Sequence, residues 1–451
     1  MTEVIVQHTM EQSLAGSKDT RAVVIGRGAL QSLDRLYAAQ FGDAPVMVVA
    51  DEQTYAVAGR EVEQQLRARA VAKLPPVIFP ERPVLTPDVR HAQRIADLLA
   101  PTAAIPIAVG SGTINDITKL AAHRADRSYL SVATAASMDG YAASGGAMVN
   151  EGFKQTIACP APRAVLADLD VLATAPQAMT ASGYADLLGK VTAGADWLVA
   201  DALDIEPVAP DVWAMVQHPL RETLSQPELI RVNDPNAIER LVRGLIVAGL
   251  AMQAADSSRP ASGAEHQFSH LWEMSGLSVD GNPVSHGFKV GVGSLAVAAL
   301  YERLLSRDLT HIDVERIVAA WPSADDLEQS VRETHADAAT VDRAVAESKA
   351  KHLDRDALAH RLHHLSTFGP DLREKLSAQL LPATELRRKL SVAGCPTTPQ
   401  AIGLTPERLQ ETYVAARHIR RRYTVLDLAV ETELLADCVA ELFVPGGFWA
   451  A

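Results

Sequence analysis

The sequence predicts an α/β domain with a largely parallel sheet, followed by an all-helical domain. Two observations carry this. Over the first third, short apolar runs alternate with segments of helical period; beyond about Pro176 the apolar residues recur at helical spacing with few β-type runs between. A chain of 451 residues also exceeds what one core usually organises, so two domains are expected, divided as 1–176 and 177–451.

In order, the expected strands are AVVIG (Ala22 to Gly26), PVMVVAD (Pro45 to Asp51), PPVIF (Pro75 to Phe79), IPIAVG (Ile105 to Gly110), YLSVAT (Tyr129 to Thr134) and AVLADL (Ala164 to Leu169). Periodic segments such as PDVRHAQRIADLLA separate several of them, which suits crossover helices. The helical part contains ASGYADLLGKVTAGADWLVADAL, NAIERLVRGLIVAGLAMQAAD and HGFKVGVGSLAVAALYERLL. The region from Ser323 to about Leu365 is charged, and its HLDRDALAHRLHHL is expected to be a solvated helix face.

Composition limits the function. A net charge of -13 disfavours nucleic-acid binding and makes any anionic substrate depend on local cations. Cys159, Cys395 and Cys438 have neither metal nor redox spacing, which suits a reducing cytoplasm. The first residues lack the pattern of a secretory signal, and no apolar run reaches membrane-spanning length, so no membrane insertion is expected.

IAVGSGTINDITKLAA runs from a strand through Gly110, Ser111 and Gly112 into a helix, with Thr113 or Asn115 near its start. Backbone amides at such a turn can face a pyrophosphate, although a third glycine is absent and a bare strand-to-helix turn looks the same. GRGAL, Gly26 to Leu30, is a second turn that could line the same cleft. Asp51, at a strand end, could hold an adenosine ribose or simply begin a helix.

His266 and His270, in GAEHQFSHLWEM, stand at i and i+4 and share one helix face; His286 follows the turn-forming DGNP. Histidines also cap and pack helices. With a carboxylate, for which Asp186 in SGYADLLGK is a candidate, two imidazoles make a Lewis-acid metal site.

SRPASGAEHQFSHLWEM, with HGFKVGVG after it and ATAASMDGYAASG and SGYADLLGK before it, resembles the bacterial glycerol-1-phosphate dehydrogenases of the AraM type. These belong with the iron-containing alcohol dehydrogenases, glycerol dehydrogenases and dehydroquinate synthases. The resemblance runs from the first glycine turn to RRRYTVLDLA, Arg420 to Ala429. It implies a Rossmann-like first domain, a helical second domain of dehydroquinate synthase-like fold, and an active site in the cleft between them. It implies metal ligands at Asp186, His266 and His286, with His270 beside the substrate. Lys190 stands where iron-dependent relatives often place a fourth ligand, which argues for three protein ligands and against an obligatory iron; two imidazoles and a carboxylate suit zinc, nickel or ferrous iron alike. Cofactor residues for NAD or NADP fall on Asp51, Gly110, Ser111, Gly112, Asp116, Thr134 and Ser137. His270 and Asp139 are the expected catalytic groups. The substrate's phosphate is expected on Lys154 and Arg259, for each of which a salt bridge is the plainer role. The implied reaction is reversible hydride transfer at C2 of dihydroxyacetone phosphate, giving sn-glycerol 1-phosphate, by a homodimer or larger homo-oligomer. A cyclase resembling dehydroquinate synthase, a dehydrogenase for another polyol phosphate, and a non-catalytic NAD-binding relative are the alternatives.

Overall fold

The structure, a computed structural model, describes residues 10–67, 74–150, 153–335 and 338–450. The chain forms two compact units, one of residues 1–187 and 211–258, the other of residues 188–210 and 259–451. The change of texture near residue 176 therefore marks the end of the parallel sheet, while the first unit also takes in later helices.

In the first unit, all six expected strands form. They are β1 (Ala22–Gly26), β2 (Val46–Asp51), β3 (Val77–Phe79), β4 (Ile105–Gly110), β5 (Leu130–Ala133) and, after a hairpin, β8 (Ala164–Asp168). The hairpin, β6 (Gly146–Asn150) with β7 (Phe153–Ile157), is antiparallel and was not expected. The sheet is parallel throughout in the order β1-β8-β5-β4-β2-β3. Alternation along β2 explains its two covered faces: Val46, Val48 and Ala50 enter one core with Leu33 and Tyr37 of helix α1 (Leu33–Phe41). Met47 and Val49 enter the other, with Ile95 of α2 (Val89–Leu99) and Ile117 of α3 (Gly112–Arg124).

From β2 the chain steps outward to β3, then returns to place β4 on the other side of β2. This reversal is a topological switch point, where the carboxyl ends of two neighbouring strands open a crevice. Val49 pairs with Ala108, and the same register two residues on sets Asp51 level with Gly110.

Helix α4 (Gln177–Leu188) closes the first stretch of this unit, α5 (Lys190–Ala202) belongs to the second unit, and α6 (Pro235–Ala255) returns to the first. Asp234 caps α6 by accepting from the amides of Asn236 and Ala237, with Pro235 at the first position.

The second unit is built around α7 (Ala264–Met274) and α8 (His286–Leu305). A two-stranded hairpin, β9 (Ser278–Val279) with β10 (Asn282–Pro283), joins them. Asp280 and Gly281 at its tip both take positive φ, 50° and 77°, which an Asp-Gly turn tolerates. Gly293 lets the two helices close together, since a Cβ there would stand 2.7 Å from the Glu265 carbonyl oxygen. The charged region forms α9 (Ala324–Thr334), α10 (Ala338–Lys349) and much of α11 (Arg355–Gln379). Its four histidines are mixed in environment: His360 and His363 are exposed, His352 stacks on Trp321 and His364 contacts the Ala202 carbonyl. Helices α12 (Pro406–His418) and α13 (Val425–Glu431) follow. No helix among the described residues is long and apolar enough to cross a membrane.

Candidate active site

At the switch point, Gly110 is required by contact: a Cβ would stand 2.5 Å from that of Ile114. Ser111 is the N-cap of α3 in extended conformation, and its side chain makes no cap bond. Thr134 donates its amide to the Gly110 carbonyl at 3.2 Å, so β5 delivers the Thr134–Ser137 segment beside the glycine turn. Asp51 caps the following helical turn, its Oδ1 accepting from the Thr54 amide at 2.7 Å. Both roles weighed for it are thus open at once, because only one of its oxygens is used in the cap.

Two residues of the same helix start turn inward. Asn115 is buried, donating to Gly140 O while its own oxygen accepts from Tyr129 and Ser131. Asp116 accepts from the Ala147 amide at 3.3 Å and lies 3.7 Å from Lys119 Nζ. Lys119 in turn donates to the carbonyls of Gly140, Ala143 and Gly145. This side of α3 therefore ties down the loop that carries Asp139. The GRGAL turn lies at the sheet edge, separated from β4 by β8 and β5, and its amides are taken up by Asp168 and Asp170. It does not line the crevice beside Gly110.

The loop after β5 is clamped from two more sides. A Cβ on Gly183 of α4 would stand 2.0 Å from the Ala136 carbonyl oxygen, and one on Gly249 of α6 2.8 Å from the Ala142 carbonyl carbon. Held so, Asp139 donates its amide to Oδ2 of buried Asp186 at 2.9 Å.

In the second unit, His266, His270 and His286 form one cluster, with ring centroids 5.3 Å apart for His266 and His286 and 6.0 Å for each of the other pairs. Two carboxylates behind them were not anticipated. Glu265 Oε1 lies 2.8 Å from His266 Nδ1, and Glu265 also accepts from Thr192 and the Gly263 amide. Burial works against its charge, but the bond to His266, the charge of that ring and the Gly263 amide hold its carboxyl below the ordinary value. Glu273 serves the other two rings: Oε1 is 2.9 Å from His286 Nδ1 and Oε2 3.3 Å from His270 Nδ1. A carboxylate facing Nδ1 fixes the N–H there, which leaves each Nε2 with a lone pair. His270 is held well below its ordinary pKa by burial and by the charge of Arg420, so its ring is neutral.

Sequence comparison gives the family. A model of the iron-containing alcohol dehydrogenases matches residues 24–176. The glycerol-1-phosphate dehydrogenase [NAD(P)+] of Halalkalibacterium halodurans is 33% identical over 372 residues, covering 78% of this chain and 92% of the relative. That of Bacillus subtilis is 36% identical over 288 residues, covering 63% and 73%.

The chain belongs to the glycerol-1-phosphate dehydrogenase family.

The fold agrees with that of the wider superfamily. Glycerol dehydrogenase from Schizosaccharomyces pombe superposes with a TM-score of 0.59 at 15% identity, covering 94% of this chain and 91% of the other. For sulfoacetaldehyde reductase from Bifidobacterium kashiwanohense, solved with NAD+, the TM-score is 0.57 at 16% identity, covering 93% and 96%.

Of the two cations expected to meet a phosphate, Arg259 is engaged elsewhere. It is buried, donates to Tyr423 O at 2.9 Å and Asp196 O at 3.2 Å, and lies 3.1 Å from Glu206. Those oxygens make it a structural tie between α5 and the segment before α13. The backbone of Lys154 pairs with Val149 in the β6–β7 hairpin, and its side chain lies outside the described residues. The i, i+3 spacing of His270 and Glu273 was the one sequence signal for the shared carboxylate.

Proposed function

We propose that this protein is a metal-dependent, NAD(P)-linked glycerol-1-phosphate dehydrogenase, interconverting dihydroxyacetone phosphate and sn-glycerol 1-phosphate by hydride transfer at C2. The supporting observation is the 33% identity to a glycerol-1-phosphate dehydrogenase across 92% of that relative.

The dinucleotide is assigned to residues 1–176. The amides of Gly110, Ser111 and Gly112 suit its pyrophosphate, Asp51 the adenosine ribose, and Asp116, Thr134 and Ser137 the neighbouring part of the crevice. Residues 177–451 are assigned to metal and substrate.

One divalent cation is assigned to Asp186, His266 and His286. The donor chemistry fits: a buried carboxylate, and two imidazoles whose Nδ1 atoms already face Glu265 and Glu273. Two nitrogens and one oxygen suit zinc, nickel or ferrous iron. Such a cation supplies Lewis-acid polarisation of the substrate carbonyl. His270 is the proton-handling group, taking or giving the proton at Nε2 while Glu273 holds Nδ1. Asp139 is a second candidate for that role, and Lys154 remains one for the phosphate. We place the enzyme in the cytoplasm as a homodimer or larger homo-oligomer.

The test is NADH or NADPH oxidation at about 340 nm with dihydroxyacetone phosphate, before and after chelation and metal add-back. Metal-dependent net consumption of reductant supports the dehydrogenase. A fully metallated protein that consumes none would remove it, and turnover of a sugar phosphate without net NADH loss would favour the cyclase.

A further inference from the structure

A loop buried inside a folded unit must pair the carbonyls it hides, and the segment after β5 does so with side chains. Tyr141, Ala142 and Ala143 are buried there. Gln253 of α6 donates Nε2 to Ala142 O at 2.5 Å. The carbonyls of Gly140, Ala143 and Gly145 all meet Nζ of Lys119, at 3.1, 2.8 and 2.9 Å. Lys119 is itself only 1% exposed. An ammonium has three protons, and one loop takes all of them. Asp116, the carboxylate paired with Lys119, stands further off at 3.7 Å.

The residue just before this stretch reaches a proposed metal ligand. Asp139 donates its amide to Oδ2 of Asp186 at 2.9 Å. Asp186 is fully buried on α4, and an amide bonded to one of its oxygens fixes the plane in which the carboxylate lies. Asn115 donates to the same Gly140 carbonyl from one turn earlier on α3, at 3.3 Å. Tyr141 Oη closes the loop on its own start by donating to Ala135 O at 2.6 Å. All of these partners belong to the first unit. The backbone from Gly140 to Gly145 is thus set chiefly by one lysine, and it carries the amide that Asp186 accepts.

We propose that Lys119 is a positioning residue for the metal: its ammonium sets the backbone of residues 140–145, which sets the Asp139 amide, which orients the Asp186 carboxylate. This rests on the reading of Asp186 as a metal ligand. A side chain on α3, the helix that begins at the glycine turn, thereby acts on the cation through the loop. Partners that orient a metal ligand bear on affinity nearly as the ligand does. The coupling is also reciprocal: an ordered loop that favours the cation is itself steadied when the cation binds.

The experiment measures zinc retained against graded chelator by the full-length protein, for wild type, Lys119→Met, Lys119→Gln, Leu120→Ala and Asp186→Ala, with circular dichroism and urea unfolding alongside. Amide hydrogen exchange across residues 139–145 is followed in wild type and Asp186→Ala, each without metal and with zinc. Lys119→Met is expected to weaken zinc about 10- to 100-fold, as loss of a ligand's orienting partner does. Lys119→Gln should fall between, because it keeps two donors on a shorter arm. Leu120 is buried in the core of the sheet one residue along the same helix, so Leu120→Ala should lower the urea midpoint and leave zinc affinity unchanged. Zinc should slow exchange of the loop in wild type and not in Asp186→Ala. Wild-type zinc affinity in a folded Lys119 variant overturns the proposal. An equal loss of affinity in Leu120→Ala also overturns it, leaving Lys119 a merely structural role. If neither Lys119 variant folds, the exchange arm decides, and a loop indifferent to zinc in wild type overturns the coupling. Asp186→Ala that holds zinc as tightly as wild type overturns the ligand assignment itself, whereas zinc lost from Asp186→Ala but kept by Lys119→Met removes only the role of the lysine.

Discussion

Nδ1 of His286 lies 2.9 Å from Oε1 of Glu273, whose other oxygen faces His270. One carboxylate on α7 thereby sets the tautomer of an imidazole across the β9–β10 hairpin and of another on its own helix. A ligand whose N–H is so held presents its other nitrogen without rotational freedom, which raises affinity for a cation. Glu273→Gln keeps the shape but has one acceptor where two are needed. Metal affinity is expected to fall about 10- to 100-fold, read as metal retained against graded chelator. Retention equal to wild type would show that neither ring depends on Glu273.

Asp186 tests the remaining ligand. Asp186→Ala should lose bound metal and turnover together, measured by elemental analysis and NADH oxidation on one preparation. Its carboxylate also accepts the Asp139 amide, so a metal-replete but inactive variant would leave it only a loop-holding role.

Asp51 requires separating a cap from a ligand. Asp51→Asn keeps the oxygen that accepts from Thr54 and removes the charge; Asn and Asp cap about equally well. Thermal stability should hardly change. Preference for NADH over NADPH should narrow, since a carboxylate repels a 2′-phosphate. An unchanged ratio of kcat/KM for the two cofactors would take Asp51 out of the ribose site.

The six sheet strands were legible because each is a short apolar run closed by a turn residue or a helix start. The β6–β7 hairpin was not: GAMVN and FKQTI are short, and Met148 is the buried anchor of β6. The three histidines were legible from their spacing, and Glu265 and Glu273 stood in the same motif. Their roles depend on α7 and α8 lying together, which no local pattern states. Arg259 was legible only as a cation in a family motif, whereas its burial against Tyr423 and Asp196 is a tertiary fact. Glycines were hardest, because Gly183 and Gly249 are required by backbone distant in sequence.

Gly183 makes that requirement measurable. A methyl group there would stand 2.0 Å from the Ala136 carbonyl oxygen, so either α4 or the loop carrying Asp139 must move. Gly183→Ala should destabilise the protein by roughly 2 to 4 kcal/mol in urea, despite the better helix propensity of alanine. A variant as stable as wild type would mean that the loop yields at little cost.

His335 Nε2 and His418 Nδ1 lie 3.3 Å apart where α9 meets the end of α12, and both rings are buried. One proton between them satisfies both nitrogens; a second would set two N–H groups facing each other. Burial first, then the charges of Arg417, His335 and Lys351, push His418 down to about 3, with Asp427 opposing. Burial likewise lowers His335. An unfolded histidine titrates near about 6.5, so below that pH the unfolded chain binds protons that the native pair refuses. Stability from this pair is therefore complete above about pH 6.5 and is lost as pH falls toward the native value, by up to about 1.4 kcal/mol per pH unit for one proton. Urea unfolding at about pH 7 and about pH 5.5 should show a wild-type loss that His418→Asn reduces by about 1 to 2 kcal/mol. An equal loss in both would assign the acid sensitivity to other groups.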